Sequence, residues 1–134
     1  MIIKAIIFDA GGVLYLNDKG RGFLNKPLAE FIHDNQEHYR FGIISTTNYD
    51  LKTILEKDGI RDLFDVILTS GETGLNKTES LIYKQTLDLL ETTPEETIFI
   101  DNDEEYIKTA DDIGIRTILY TNFETFKIQI ARLI

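Results

Sequence analysis

Residues 6–15 read IIFDAGGVLY, in which an apolar run ends at the carboxylate of Asp9 and two glycines follow after a single alanine. The complete run, residues 2–8, is IIKAIIF and is mostly apolar at consecutive positions. This pattern is typical of a strand that is covered on both faces in a parallel sheet. Because a purely structural carboxylate is unusual directly after a buried strand, Asp9 is the first candidate for a functional residue.

Four further strand-length runs share this apolar character: FGIIS (41–45), DVILT (65–69), TIFI (97–100) and RTILY (116–120). Segments with helical spacing of apolar residues accompany them, at 27–39, 51–59, 79–91, 103–113 and 123–133. Such an alternation of strands and helices predicts right-handed crossovers and an α/β fold with an open, doubly wound parallel sheet.

Length and composition set the limits of the function. The 134 residues, 43% hydrophobic and 28% charged, predict a single globular domain over residues 1–134. No apolar run approaches the roughly 20 residues of a membrane span, and the opening MIIKAIIF lacks a leader pattern, which together predict a cytoplasmic protein without a membrane partner. The absence of cysteine excludes disulfides and thiol chemistry, and the net charge of −9 argues against nucleic acid as a partner.

Polar side chains follow each of the first four predicted strands, where ligands bind in such sheets. They are Asp9; Ser45 and Thr46; Thr69, Ser70 and, further along that loop, Lys77; and Asp101, Asn102 and Asp103. Taken singly, each is more often a turn, cap or surface residue. Their order along one sheet edge favours a joint site, with carboxylate ligands for Mg²⁺ and a hydroxyl and an amine for an anionic group.

These four segments resemble the motifs of the haloacid dehalogenase-like (HAD) superfamily of hydrolases. IIFDAGGVLY is similar to the first motif, with Asp9 in the position of the nucleophile. FGIIST resembles the second motif with Ser45 in place, and SGETGLNKTESLIY resembles the third with Lys77 as the lysine that anchors phosphate. TIFIDNDEEYIKTADDIGIRTILY resembles the fourth, where Asp101 matches the metal-binding carboxylate.

The resemblance implies a three-layer Rossmann-like fold with five parallel strands in the order 5-4-1-2-3. It also implies a phosphohydrolase that forms an aspartyl-phosphate on Asp9, with Ser45 and Lys77 as further catalytic residues. Mg²⁺ would be the cofactor, held by Asp9, the backbone carbonyl of Gly11, and Asp101. The implied substrate-binding residues are Gly11, Gly12, Ser45, Thr46 and Lys77.

The sequence departs from the family pattern at Gly11, where family phosphatases usually carry a second aspartate that acts as general acid and base. We therefore expect a weakened or restricted phosphohydrolase, since such a group typically supplies roughly 10²–10⁴ in rate. The alternative is a non-catalytic family member that uses the pocket to bind phosphate or metal, or to regulate a protein partner. Gly11 is also a candidate for a positive φ. Asn102 replaces another aspartate common among relatives, and Asp103 and Glu105 are candidates to substitute for it.

The spacing of the motifs leaves no room for a cap domain. Residues 15–25 form at most a flap, and one helix and one strand fill the chain between Ser45 and Lys77. An open site implies a phosphorylated small molecule or protein as substrate, or a partner or second subunit that covers it. A phosphoacceptor receiver domain also combines acids, a hydroxyl and a lysine, but its lysine would follow the last strand, and RTILYTN is followed by no such lysine.

Overall fold

The computed structural model describes residues 2–16 and 22–134 of the chain. The elements in chain order are β1 (Ala5–Phe8), β2 (Tyr15–Leu16), β3 (Phe23–Leu24), α1 (Lys26–Asp34), β4 (Arg40–Ser45), α2 (Leu51–Lys57), β5 (Val66–Thr69), α3 (Ser70–Thr73), α4 (Ser80–Leu89), β6 (Thr97–Asp101), α5 (Glu104–Asp112), β7 (Arg116–Leu119) and α6 (Phe123–Ala131). Two short 3₁₀ turns, Arg61–Leu63 and Pro94–Glu96, precede β5 and β6.

The main sheet has five strands in the order β5-β4-β1-β6-β7, and all its neighbouring strands are parallel. Counted along the chain, these strands follow the predicted order 5-4-1-2-3, which is confirmed. Phe8 at the end of β1 pairs with Ile43 on one side and Ile100 on the other. The residue after β1 therefore emerges at the carboxyl edge between two neighbouring strands.

Helices cover both faces of the sheet and complete the three predicted layers. On one face, Ile6 and Phe8 of β1 pack in one apolar cluster with residues of α1, α2 and α6. On the other face, Ala5 and Ile7 pack with residues of α4 and α5. All of these β1 side chains are fully buried, which explains why the strand reads as a continuous apolar run.

The first helix is shorter than the sequence predicts, because α1 ends at Asp34 rather than near residue 39. The side-chain nitrogen Nδ2 of Asn35 donates to the carbonyl oxygen of Phe31 at 2.8 Å and satisfies one of the last carbonyls of the helix. The following residues form turns up to β4. The other four predicted helices are present within about two residues of their expected ends.

A two-stranded antiparallel hairpin follows β1, with Tyr15 opposite Leu24. Its arms lie within the predicted flap at residues 15–25, whose tip, 17–21, lies outside the described residues. Buried Asn25 fixes the base of the hairpin, since its amide donates to the carbonyl of Val13 and the hydroxyl of Tyr120.

Between β1 and β4 the described chain holds only this hairpin and α1, and between β4 and β5 only α2 and a 3₁₀ turn. This agrees with the prediction of a core without a cap. Within residues 2–16 and 22–134, none of the helices combines the length and the apolar character that a membrane span requires. The extent of the domain, residues 1–134, stays a prediction.

Candidate active site

Three charged side chains meet at the carboxyl edge of the sheet. The Nζ of Lys77 lies 2.8 Å from Asp9 Oδ1 and 2.8 Å from Asp101 Oδ2, so one amine bridges two carboxylates. Lys77 is 1% exposed, Asp9 7% and Asp101 0%. Buried charges persist only when they are paired and hydrogen-bonded, and this cluster meets that condition.

The topology explains why the two carboxylates meet. The chain leaves β1 towards β4 and β5, and leaves β6 in the opposite direction towards β7, so the winding reverses between β1 and β6. Asp9 directly follows β1, Asp101 ends β6, and the amide of Asp9 donates to the carbonyl of Ile100 at 2.9 Å. Ligands of open α/β sheets bind at such a switch point.

Two tyrosines fix Lys77 and were not predicted as part of the site. The hydroxyl of Tyr83 donates to the Lys77 carbonyl oxygen at 2.7 Å, and the Tyr106 ring centroid lies 4.5 Å from Lys77 Nζ. The aromatic ring shields the ammonium group from water and attracts it electrostatically. Tyr106 lies five positions after Asp101, and its place on the helix that follows this strand was the available sequence signal.

Burial and mutual charge shape the proton affinities of the cluster. Burial raises the pKa of Asp9, against the lowering influence of Lys77, and the neighbouring charge of Asp101 adds to the rise. Burial opposes the charge on Lys77, but the two carboxylates outweigh it and raise the pKa of the amine. Both shifts favour a bound proton, as expected where two acids face a single base.

Asn102 lies over the carboxylate pair. With its amide nitrogen oriented towards the acids, it donates to Asp9 Oδ2 at 3.3 Å and to Asp101 Oδ1 at 3.2 Å. Asp103 instead caps α5, since its side chain accepts from the backbone amides of Glu105 and Tyr106. Of the candidates for supporting a metal, Asn102 thus faces both carboxylates, whereas the Asp103 side chain is engaged at the start of α5.

Ser45 ends β4, the strand next to β1, and is 3% exposed. It lies two positions beyond Ile43, the partner of Phe8, so it reaches the same edge as Asp9. Within the described residues its hydroxyl makes no hydrogen bond to the charged cluster. Thr46 is the next residue and is exposed. The structure thus brings Asp9, Lys77 and Asp101 into contact and places Ser45 and Thr46 on the adjoining strand end.

Gly11 and Gly12 differ in backbone conformation. The prediction of a positive φ at Gly11 is wrong, because the positive value, 83°, is at Gly12. A Cβ on Gly12 would lie 2.2 Å and 2.9 Å from atoms of the Asn102 side chain, whereas one on Gly11 would meet nothing within 4 Å. In the turn that follows β1, the backbone N–H of Gly12 donates to the carbonyl oxygen of Tyr15 at 2.8 Å. Glycine is thus required at position 12, and position 11 is open.

We expect Gly12→Ala to lower the free energy of unfolding by about 1–2 kcal/mol from the left-handed backbone alone, with a further cost because Asn102 must move. Gly11→Ala is the matched control and should change it by no more than about 0.5 kcal/mol. Urea denaturation of both variants measures the difference. Equal losses would contradict the assignment of the constrained position to Gly12.

The residues fit a divalent cation through the charges they carry. Two buried carboxylates face one buried ammonium, which leaves one negative charge for a cation to balance. Among the described ranges, no group of three or more His, Cys, Asp or Glu side chains is arranged for a metal ion. Mg²⁺ tolerates this, because it is commonly held by one or two carboxylates together with water and substrate phosphate.

Asp9, Lys77 and Asp101 thus form a buried charged cluster at the switch point of an α/β sheet. The sequence profile of the haloacid dehalogenase-like hydrolases matches residues 26–120. The chain belongs to this family of hydrolases. The matched residues include Ser45, Lys77 and Asp101, and they begin after Asp9.

Individual proteins are similar to part or nearly all of this chain. Bifunctional epoxide hydrolase 2 of Sus scrofa is 35% identical over 66 residues, which are 49% of this chain and only 12% of that protein. A Corynebacterium glutamicum protein superposes with a TM-score of 0.81 at 20% identity, covering 98% of this chain and 94% of that chain. A HAD family enzyme of Bacteroides thetaiotaomicron, in complex with magnesium and inorganic phosphate, gives a TM-score of 0.78 at 17% identity over 92% and 98% of the two chains. At these identities the superpositions show the fold.

Proposed function

We propose that this protein is a Mg²⁺-dependent phosphohydrolase that works through an aspartyl-phosphate on Asp9 and is restricted by the glycine at position 11. The observation that carries the proposal is the buried contact of Lys77 with both Asp9 and Asp101 at the switch point of the sheet. The family assignment supports hydrolysis, and the Bacteroides relative, solved with magnesium and phosphate, supports the type of ligand.

In the first step a carboxylate oxygen of Asp9 attacks phosphorus, and the bond between phosphorus and the leaving oxygen breaks. Lys77 has three N–H donors and uses two on the carboxylates, so the third remains for a phosphate oxygen. Ser45 is positioned on the adjoining strand end to donate its hydroxyl to the same group. Both contacts stabilise the charge that develops on the transferring phosphoryl group.

In the second step water attacks the phosphorus of the aspartyl-phosphate, which releases inorganic phosphate and restores the Asp9 carboxylate. Gly11 has no side chain to protonate the leaving oxygen or to take the proton from water. Solvent then supplies the proton for the leaving oxygen and accepts the proton of the attacking water, since Gly11 is exposed to solvent. We infer that the site favours esters whose leaving group departs without a proton.

Asp9 and Asp101 are the side chains that would hold Mg²⁺, together with the Gly11 carbonyl proposed from the family resemblance. The bound cation would supply positive charge near the transferring phosphoryl oxygens. With Lys77, the protein side of the site carries one net negative charge, and a divalent cation would make it positive. A positive site suits a phosphate dianion.

The proposed substrate is a phosphorylated small molecule or protein in the cytoplasm. The absence of an inserted domain among the described elements between β1 and β5 leaves the strand ends open to a large substrate or to a covering partner. The net charge of −9 disfavours nucleic acid and anionic membranes as partners.

A second candidate function is phosphate or metal binding without turnover. The observation that favours it is the glycine at position 11, where the space for an acid is empty. A binding protein needs Lys77, Asp101 and Ser45 but not a nucleophile. Asp9 would hold the cation in either case, so turnover by the parent protein separates the two functions.

Asp9→Asn should abolish the Mg²⁺-dependent hydrolysis of acetyl phosphate and of an aryl phosphate, because an amide does not serve as the nucleophile. Turnover by the parent should require Mg²⁺, and its melting temperature should rise with Mg²⁺. At a hundredfold excess over the dissociation constant the stabilisation should be about 2.7 kcal/mol. Phosphate release with and without the cation, and thermal melts, are the measurements.

Asp88→Asn, which changes an exposed aspartate of α4, is the matched control and should retain full activity. Asp101→Ala should lose the thermal response to Mg²⁺. Turnover that survives Asp9→Asn would exclude the aspartyl-phosphate mechanism. A parent that binds phosphate and Mg²⁺ without turnover would favour the second candidate function.

A further inference from the structure

Asn102 and Lys77 together hold all four oxygens of the carboxylate pair. Lys77 donates to Asp9 Oδ1 and Asp101 Oδ2. Asn102, with its carboxamide turned so that the nitrogen faces these acceptor oxygens, donates to Asp9 Oδ2 and Asp101 Oδ1. The backbone amide of Asp103 adds a further donor to Asp101 Oδ1 at 3.1 Å. The acids are therefore fully hydrogen-bonded by the protein in the absence of a cation.

The two donors differ in their access to solvent. Lys77 is 1% exposed and lies beneath the Tyr106 ring, whereas Asn102 is an exposed residue. Of the two donors, Asn102 is therefore the one that solvent, and a cation in it, can reach. Its contacts of 3.2 Å and 3.3 Å are longer than those of Lys77, so they are the weaker ones to replace.

Gly12 explains why the Asn102 carboxamide stays in this place. The side chain lies so close to Gly12 that any Cβ there would collide with it. Behind it, Asp103 begins α5 as the N-cap and fixes the backbone next to Asn102. The Asn102 carboxamide thus lies between Gly12, in the turn after β1, and the start of α5, and it points at the two acids.

We propose that Asn102 is a positioning residue that lowers the affinity of the site for divalent cations by donating to the carboxylate oxygens that the cation must bind. This inference rests on the metal site of the proposed function and adds its regulation. The hydrogen bonds from Asn102 stabilise the carboxylate pair in the absence of a cation, and they lower the affinity of the pair for one. An aspartate at this position would do the opposite, because it offers no donor and adds a negative charge.

The test compares Asn102→Asp and Asn102→Ala with the parent in the full chain, using Mg²⁺ alone as the probe. Asn102→Asp should tighten Mg²⁺ binding by roughly 10- to 100-fold, the usual scale for residues that support metal ligands. Asn102→Ala should tighten it by a smaller factor, because it removes the donors without adding charge. Both variants should melt at a lower temperature than the parent when no divalent cation is present.

Two further measurements complete the test. Asn48→Asp adds the same charge at an exposed position after β4 and should leave Mg²⁺ binding unchanged. In ¹⁵N-labelled parent protein, the Asn102 side-chain amide signal, identified by its loss in Asn102→Asp, should shift with Mg²⁺ at the same midpoint as the melts. This shift reports release of the carboxylates independently of activity.

Weaker binding by Asn102→Ala would make Asn102 an oxygen ligand and overturn the proposal. Equal tightening by Asn48→Asp and Asn102→Asp would overturn it as well, because the effect would then be general charge. If Asn102→Asp binds Mg²⁺ more tightly but neither it nor the parent hydrolyses phosphate esters, the inference holds and the proposed function fails. If the parent hydrolyses esters and both Asn102 variants bind Mg²⁺ as it does, the function holds and the inference fails.

Discussion

Replacing Gly11 with aspartate should raise the turnover of alkyl phosphates by about tenfold or more, within the roughly 10²–10⁴ that general acid–base catalysis supplies. The new carboxyl would stand two residues after Asp9, where it can protonate the leaving oxygen and later activate water. The structure accommodates it, because a Cβ at Gly11 meets nothing within 4 Å and the positive φ belongs to Gly12.

The choice of substrate makes this result specific. In the parent, acetyl phosphate and aryl phosphates should outperform a sugar phosphate, because their leaving groups depart without a proton. Gly11→Asp should raise the hydrolysis rate of the sugar phosphate most, so the ratio of the acetyl or aryl phosphate rate to the sugar phosphate rate should fall. Hydrolysis of the aspartyl-phosphate should be the slow step in the parent, so a burst of the aryl alcohol should precede steady turnover. The variant should speed up this step and so reduce the burst relative to the steady rate.

Gly11→Asn is the matched control, since it has nearly the same size and no acid. Asp also adds a third carboxylate near Asp9 and Asp101, and its repulsion is relieved only when a cation binds, so the assay requires saturating Mg²⁺. A folded, cation-loaded Gly11→Asp variant with no activity above that of Asp9→Asn would show that the pocket is not a latent phosphatase. The binding function would then be the better explanation.

The backbone frame of the site follows from the sequence because it depends on strand ends. Five apolar runs locate the strands, and the polar residues after the first four runs locate the candidate functional edge. Asp9 and Asp101 are single residues at such ends, so their approach is a consequence of the strand order. Lys77 was placed by its motif, and the structure shows it buried between the two acids.

The contacts that depend on side-chain direction could not be predicted in this way. Asn102 follows Asp101 directly, but its amide faces the acids only because Gly12 leaves space for it. The same limit applies to the glycines, since sequence alone does not tell which of two neighbours takes the left-handed conformation. Tyr106 belongs to the next helix, and its cover over Lys77 depends on how that helix packs.

Lys77→Met should lower the free energy of unfolding by about 3–5 kcal/mol, the usual cost of removing one partner from a buried ion pair. Methionine fills much of the same volume, so the loss measures charge rather than packing. Asp9 and Asp101 would remain buried and face each other without an amine between them. Denaturation with urea in the absence of divalent cations gives the value.

Three comparisons separate the charge effect from other causes. Lys84→Met changes an exposed lysine of α4 and should cost no more than about 0.5 kcal/mol. Adding Asp101→Asn to Lys77→Met should restore part of the stability, because one buried charge is then removed. Burial already raises the pKa of Asp9, so without Lys77 the folded state should bind protons more tightly than the unfolded chain.

The stability of Lys77→Met should consequently fall as the pH rises, and its deficit against the parent should be smaller in mild acid than in mild alkali. Mg²⁺ should also narrow the deficit, since the cation supplies the positive charge that the lysine provided. A deficit that is independent of both pH and Mg²⁺ would mean that Lys77 contributes packing and that the acids do not depend on its charge. In that case the bridging contacts of Lys77 would no longer support a charged site at this sheet edge.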